Sequence, residues 1–176
     1  MTGHSTLPFR HWLFAVGAMV VSPLGFSCGH GPDPAASVAM QPEPLGDHEC
    51  GACGMIVREE PSPRAQLVHH DGTHVWFCSV ADEVAYASAP SPHGRVEHVW
   101  VETSPVDVDP ASVDAAPRPW VAVERASFVL GVTRERVMGE SVLAFEAETD
   151  ARTAATRLGG RVSSWEQVVV ALHGAP

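Results

Sequence analysis

Two short apolar or β-branched runs, Ala65 to His70 and Thr73 to Phe77, flank the dipeptide Asp71-Gly72, which constrains the fold more than any other feature of the chain. Asp-Gly reaches positive φ at low cost and closes two antiparallel strands into a hairpin. The next run, Val80 to Ala89, switches period. Val80, Val84 and Ala87 recur at helical spacing, Asp82 and Glu83 stand near the start, and Pro90 and Pro92 stop the helix. Val96 to Val101 then alternates as a strand.

A Pro- and Asp-rich connection, Ser104 to Pro119, leads to a second series of the same order. Trp120 to Leu130 and Ser141 to Ala147 read as strands. Asp150 to Leu158 reads as a helix closed by Gly159-Gly160, and Arg161 to Ser163 as a short strand. A last helix, Ser164 to His173, begins at a Ser163 or Ser164 cap with Glu166 nearby. The fold class is therefore α+β, with two strand-strand-helix-strand units repeating in topology but not in sequence. One mixed sheet without duplication fits the same pattern.

Ahead of these elements, residues 1–27 read as an export signal of the lipoprotein type. Arg10 and the amino terminus carry positive charge, and Trp12 to Val21 form an apolar core too short for a membrane span. Leu24-Gly25-Phe26-Ser27-Cys28 resembles a bacterial lipoprotein processing site, with Gly25 where a branched apolar residue usually sits, and it makes Cys28 the expected lipidation site. A cleaved secretory signal or an uncleaved anchor are the plainer alternatives. Residues 28–46, with Pro32, Pro34, Pro42 and Pro44, read as a flexible tether. The folded domain is expected over 47–176, outside the cytoplasm, where disulfides can persist.

Composition narrows the function. The 11 basic residues, all arginine, against 21 acidic ones give a net charge of −10, and such a surface excludes the basic footprint that nucleic-acid binding requires. No nucleotide loop, nucleophile elbow or His-Glu-x-x-His pair is present. The adjacent carboxylates Glu59-Glu60 and Asp82-Glu83 read as solvated surface pairs.

The chemistry concentrates in Cys50-Gly51-Ala52-Cys53-Gly54-Met55, two thiols and a thioether within six residues. Soft sulfur donors of this kind select soft ions, Cu(I) above all. The same Cys-x-x-Cys also suits a disulfide or a redox pair. Cys78, at the start of a helix whose dipole is expected to lower its pKa, completes a three-thiolate set that resembles a zinc centre if a histidine such as His48 joins. His69, His70 and His74 form an expected exposed cluster around the hairpin turn, suited to weak Cu(II) or Zn(II) binding.

The ordered set Cys-x-x-Cys-Gly-Met, Arg64-Ala65-Gln66, Asp71-Gly72, Phe77, Val137-Met138-Gly139, Ala144-Phe145, Asp150-Ala151, Gly159-Gly160 and Trp165-Glu166 resembles the NosL family of nitrous oxide reductase accessory lipoproteins. The resemblance runs over about residues 47–172. It implies two strand-strand-helix-strand units, a fold shared in outline with the organomercurial lyases. It also implies a non-enzymatic Cu(I) chaperone, lipid-anchored in the cell envelope on the periplasmic side. Its partners would be nitrous oxide reductase and that enzyme's membrane maturation apparatus. Carried onto this sequence, the metal ligands are Cys53, Met55 and Met138, with Cys50 beside them and Cys78 and His48 as auxiliary ligands. A thiol-disulfide or organomercurial-type enzyme using Cys50, Cys53 and Cys78, and a Zn(II)-stabilised adaptor module, are the readings from other classes.

Overall fold

The Asp71-Gly72 turn forms as the sequence predicts. The structure, a computed structural model, describes residues 41–173 apart from Ser62, Val113, Glu135, Arg136, Met138 and Gly139. Strand β1 (Ala65–His69) pairs antiparallel with β2 (His74–Phe77). Gly72 takes φ +86°, and Asp71 Oδ1 accepts from the Thr73 N–H at 2.9 Å. The hairpin continues into helix α1 (Val80–Ala87), capped where the Ser79 side chain accepts from the Asp82 N–H at 3.1 Å. Strand β3 (Val96–Glu102) returns on the other side of β1, and β4 (Trp120–Ala122) adds to β3, giving the order β2-β1-β3-β4.

The second unit repeats this path. Strands β5 (Ser127–Leu130) and β6 (Leu143–Phe145) lead to helix α2 (Glu148–Leu158), and β7 (Arg161–Ser163) pairs with β5 in a sheet of order β6-β5-β7. Helix α3 (Trp165–His173) follows. The two sheets thus share the arrangement in which the first strand of each unit lies between the other two, and the expected α+β class with two strand-strand-helix-strand units is borne out. One expected strand divides. Trp120 to Leu130 breaks at a turn over residues 123–125, where the Arg125 N–H reaches the Ala122 carbonyl at 2.9 Å, so its first part joins one sheet and its second part another.

Alternation along the strands explains how two layers share one core. Ala65, Leu67, Phe77, Val99 and Val101 face inward with Phe128, Leu130 and Ala144 of the second sheet and Val168 of α3. The alternate residues Val129, Leu143 and Phe145 turn to the other side and pack under Ala151, Ala154 and Ala155 of α2. Phe77 and Phe128 have no exposed surface, and each such side chain contributes roughly 1.5–3 kcal/mol by leaving water.

The opposite face of the first sheet is covered from the N-terminal side. Gln66, fully buried, accepts from the Glu43 N–H at 2.8 Å and donates to the Glu43 carbonyl at 3.0 Å. His48 stacks on Trp76 with ring centroids 3.6 Å apart. The last residues of the expected tether are therefore fastened to the sheet. Among the described residues no helix is long and apolar enough to cross a membrane.

Candidate metal centre

Residues 49–56 fold back on themselves. The Cys50 N–H donates to the Met55 carbonyl at 2.8 Å, the Gly54 N–H to the Cys50 carbonyl at 2.9 Å, and Glu49 bridges Ile56. The turn needs Gly54 at φ +75°, a conformation that side chains resist. Gly51 then lies against β2, with its N–H on the Trp76 carbonyl at 2.9 Å. A Cβ at position 51 would stand 2.4 Å from Val75 Cγ1, so only glycine allows the loop to approach this closely.

The approach sets the loop beside the junction of β2 and α1, where Cys78 precedes the Ser79 cap and Asp82 occupies the first turn of the helix. Donor atoms of Cys50, Cys53, Cys78 and Asp82 all lie within 4.8 Å of one another. The sulfurs of Cys53 and Cys78 are 3.7 Å apart, and Cys50 Sγ is 4.0 Å from Asp82 Oδ2. The Cys78 N–H points at Cys50 Sγ at 3.5 Å. Cys50 and Cys78 are buried and Cys53 is exposed, all three as free thiols.

The thiols differ electrostatically. At Cys50 burial opposes ionisation, but the backbone N–H groups of Cys78, Cys53 and Ala52 outweigh it and hold the thiol below its ordinary pKa. Desolvation, with the neighbouring Cys50, raises Cys53. Cys78 is pushed well up, first by burial and then by the charge of Cys50, which corrects the expectation that the helix dipole would lower it. Cys50 is therefore the most readily ionised of the three, while Cys53 and Cys78 hold their protons more tightly until a cation or another electrophile reaches the sulfur.

Of the residues expected at a metal site, the structure brings Cys50, Cys53 and Cys78 together. Met55 packs half-buried against the core, its backbone closing the Cys50 turn. His48 is absent from the converging donors and stacks on Trp76 instead. Met138 and Cys28 lie outside the described residues. The expected exposed histidine cluster does not form as such. His69 is buried, with its ring nitrogens 3.0 Å from the Gly94 carbonyl and 3.3 Å from the Tyr86 hydroxyl, and the side chain of His74 is 9% exposed.

The pair Asp82-Glu83 is also not a solvated surface pair. Asp82 joins the thiols, and Glu83 is completely buried. No helical spacing links Cys78 to Asp82, because Cys78 precedes the extended Ser79 cap and lies outside the helix.

Together the fold and the site define a small α+β protein whose converging thiols are able to hold a metal ion. The chain belongs to the NosL family, whose model matches residues 42–172. It is 30% identical over 142 residues to the copper-binding lipoprotein NosL of Stutzerimonas stutzeri, an alignment that covers 74% of this chain and 68% of that protein. With the copper-binding lipoprotein NosL of Achromobacter cycloclastes it shares 26% identity over 142 residues, or 78% and 69% of the two chains. The crystal structure of the copper chaperone NosL from Shewanella denitrificans superposes with a TM-score of 0.59 at 25% identity, covering 72% of this chain and 94% of that one.

Proposed function

We propose that this protein is a Cu(I) carrier of the cell envelope that supplies copper for the assembly of nitrous oxide reductase. The observation that carries the reading is the convergence of three sulfurs, two buried and one exposed. Cu(I) accepts two or three soft donors, and an exposed Cys53 gives an acceptor's ligand a side from which to replace one of them. Copper is the cargo here, and carriage rather than catalysis is the role. The names of the relatives, copper-binding lipoprotein and copper chaperone, support it.

Cys28 is the proposed lipid attachment, with the chain held on the periplasmic side and the membrane maturation apparatus of the reductase as its partner. Met138 is the proposed distant thioether. Val137 and Glu140, its near neighbours in sequence, line a small cavity with Cys78, which supports that assignment. Met55 is the proposed thioether of the loop.

Anaerobic titration with Cu(I) against a competing chelator tests the reading. Tight binding of one ion per chain is expected, lost in Cys53→Ser and weakened in Met55→Leu and Met138→Leu. Affinity unchanged across all three variants overturns it. Asp82 favours a second reading, because three thiolates and a carboxylate also make a tetrahedral set for Zn(II). Zinc in protein purified without added metal, with unfolding on chelation, is the result that selects it.

A further inference from the structure

We propose that Cys53 and Cys78 form a reversible disulfide that closes the metal site, so that reduction by a dithiol donor must precede metal loading. The inference rests on the Cu(I) carrier reading and adds a reaction class upstream of it.

The two sulfurs are 3.7 Å apart, and they come from different elements, one buried and one exposed. Cys78 is fixed at the mouth of α1, whereas Cys53 sits at the exposed tip of a turn next to Gly54. A bond requires the sulfurs to close from 3.7 Å to about 2.05 Å, and the exposed Cys53 is the one placed to make that approach. Cys50 is the less suitable partner although it completes the Cys-x-x-Cys. Its sulfur faces inward, receives the Cys78 N–H and lies beside Asp82, and those contacts favour a thiol or thiolate over a neutral disulfide sulfur.

The step balances with a low-molecular-weight disulfide as oxidant. The exposed Cys53 sulfur attacks one sulfur of the oxidant, releasing one thiol and leaving a mixed disulfide on Cys53. The Cys78 sulfur then attacks Cys53, releasing the second thiol. The two protons lost by the cysteines end on the two released thiols, and the pair has given up two electrons. With both sulfurs in one bond, the three-thiol set is reduced to Cys50 alone. A dithiol reductant reverses both steps and is itself oxidised to a disulfide. A bound metal ion occupies the same sulfurs, so loading and oxidation exclude each other.

Incubation of the full chain with oxidised glutathione without oxygen, followed by alkylation of the remaining thiols and peptide mapping, tests this. The expected product links Cys53 to Cys78 and has lost Cu(I) uptake, reduced thioredoxin restores uptake, and chain loaded with Cu(I) beforehand resists oxidation. A Cys50→Ser variant is expected to form the same link. The proposal is overturned if Cys50 is a member of the predominant link, or if the linked protein takes up Cu(I) as the reduced protein does. Should the reduced protein take up no Cu(I), the carrier reading falls and the gate with it, while the linkage map still reports which sulfurs pair.

Discussion

Arg64 and Glu102 face each other with neither side chain exposed to solvent, the Arg64 Nε 2.5 Å from Glu102 Oε2 and its Nη2 3.0 Å from Oε1. The guanidinium also donates to the carbonyls of Arg58, Glu60, Ala115 and Ala116. One buried cation therefore ties the segment after the thiol loop to the connection between the two units. Glu102→Gln leaves that cation without its countercharge, and roughly 3–5 kcal/mol of stability should be lost. Urea unfolding measures it, and a loss below about 1 kcal/mol would show that solvent reaches the pair.

Glu83 gives the stability a pH dependence. Burial raises its carboxyl to about 8, and among the described residues neither oxygen has a hydrogen-bond partner. The folded state thus keeps a proton that the unfolded chain releases in the ordinary carboxylate range. The stabilisation is complete below that range and is lost as pH rises toward 8, at roughly 1.4 kcal/mol per pH unit for this one group. Glu83→Gln should flatten the slope over that window, read from denaturant midpoints at a series of pH values. An unchanged slope would assign it to other groups.

At Gly51, alanine should separate site geometry from fold. The added Cβ meets Val75 Cγ1 at 2.4 Å and Phe77 Cε1 at 3.3 Å, so the loop must move off β2. A stability loss of about 1–3 kcal/mol, as for other overpacked contacts, should accompany a larger loss of Cu(I) affinity, since Cys50 and Cys53 move with the loop. Equal affinity in the variant would show that the loop's seat on β2 does not set the site.

Asp82→Asn removes the harder donor and leaves the three sulfurs. Competition between Zn(II) and Cu(I) should show Zn(II) affinity falling while Cu(I) affinity holds. A parallel loss of both ions would make the carboxylate a ligand to copper as well.

Local signals carried most of the fold. The Asp71-Gly72 turn, the Pro90 and Pro92 stop and the Gly159 stop each act within a few residues, so the elements around them were readable in sequence. The division of Trp120 to Leu130 was not, because Val121, Val123, Phe128 and Leu130 all suit a strand and the break arises from pairing with two different sheets. At the site, Cys50 and Cys53 announced themselves by spacing. Asp82 did not, since its neighbours in sequence suggested a solvated pair, and only the docking of a loop from 32 residues earlier gave its carboxylate a role. His69 shows the converse. Its place beside a polar turn suggested exposure, but β1 is buried on both faces.

The Gly51 contact to the Trp76 carbonyl has a meaning apart from metal. Strand β2 is the outermost strand of its sheet, and the thiol loop occupies hydrogen-bonding positions on its open side. Unpaired strand borders recruit strands from other chains. Any event that lifts the loop, whether cargo transfer or damage to its cysteines, uncovers such a border, so prolonged opening should appear as self-association of the protein.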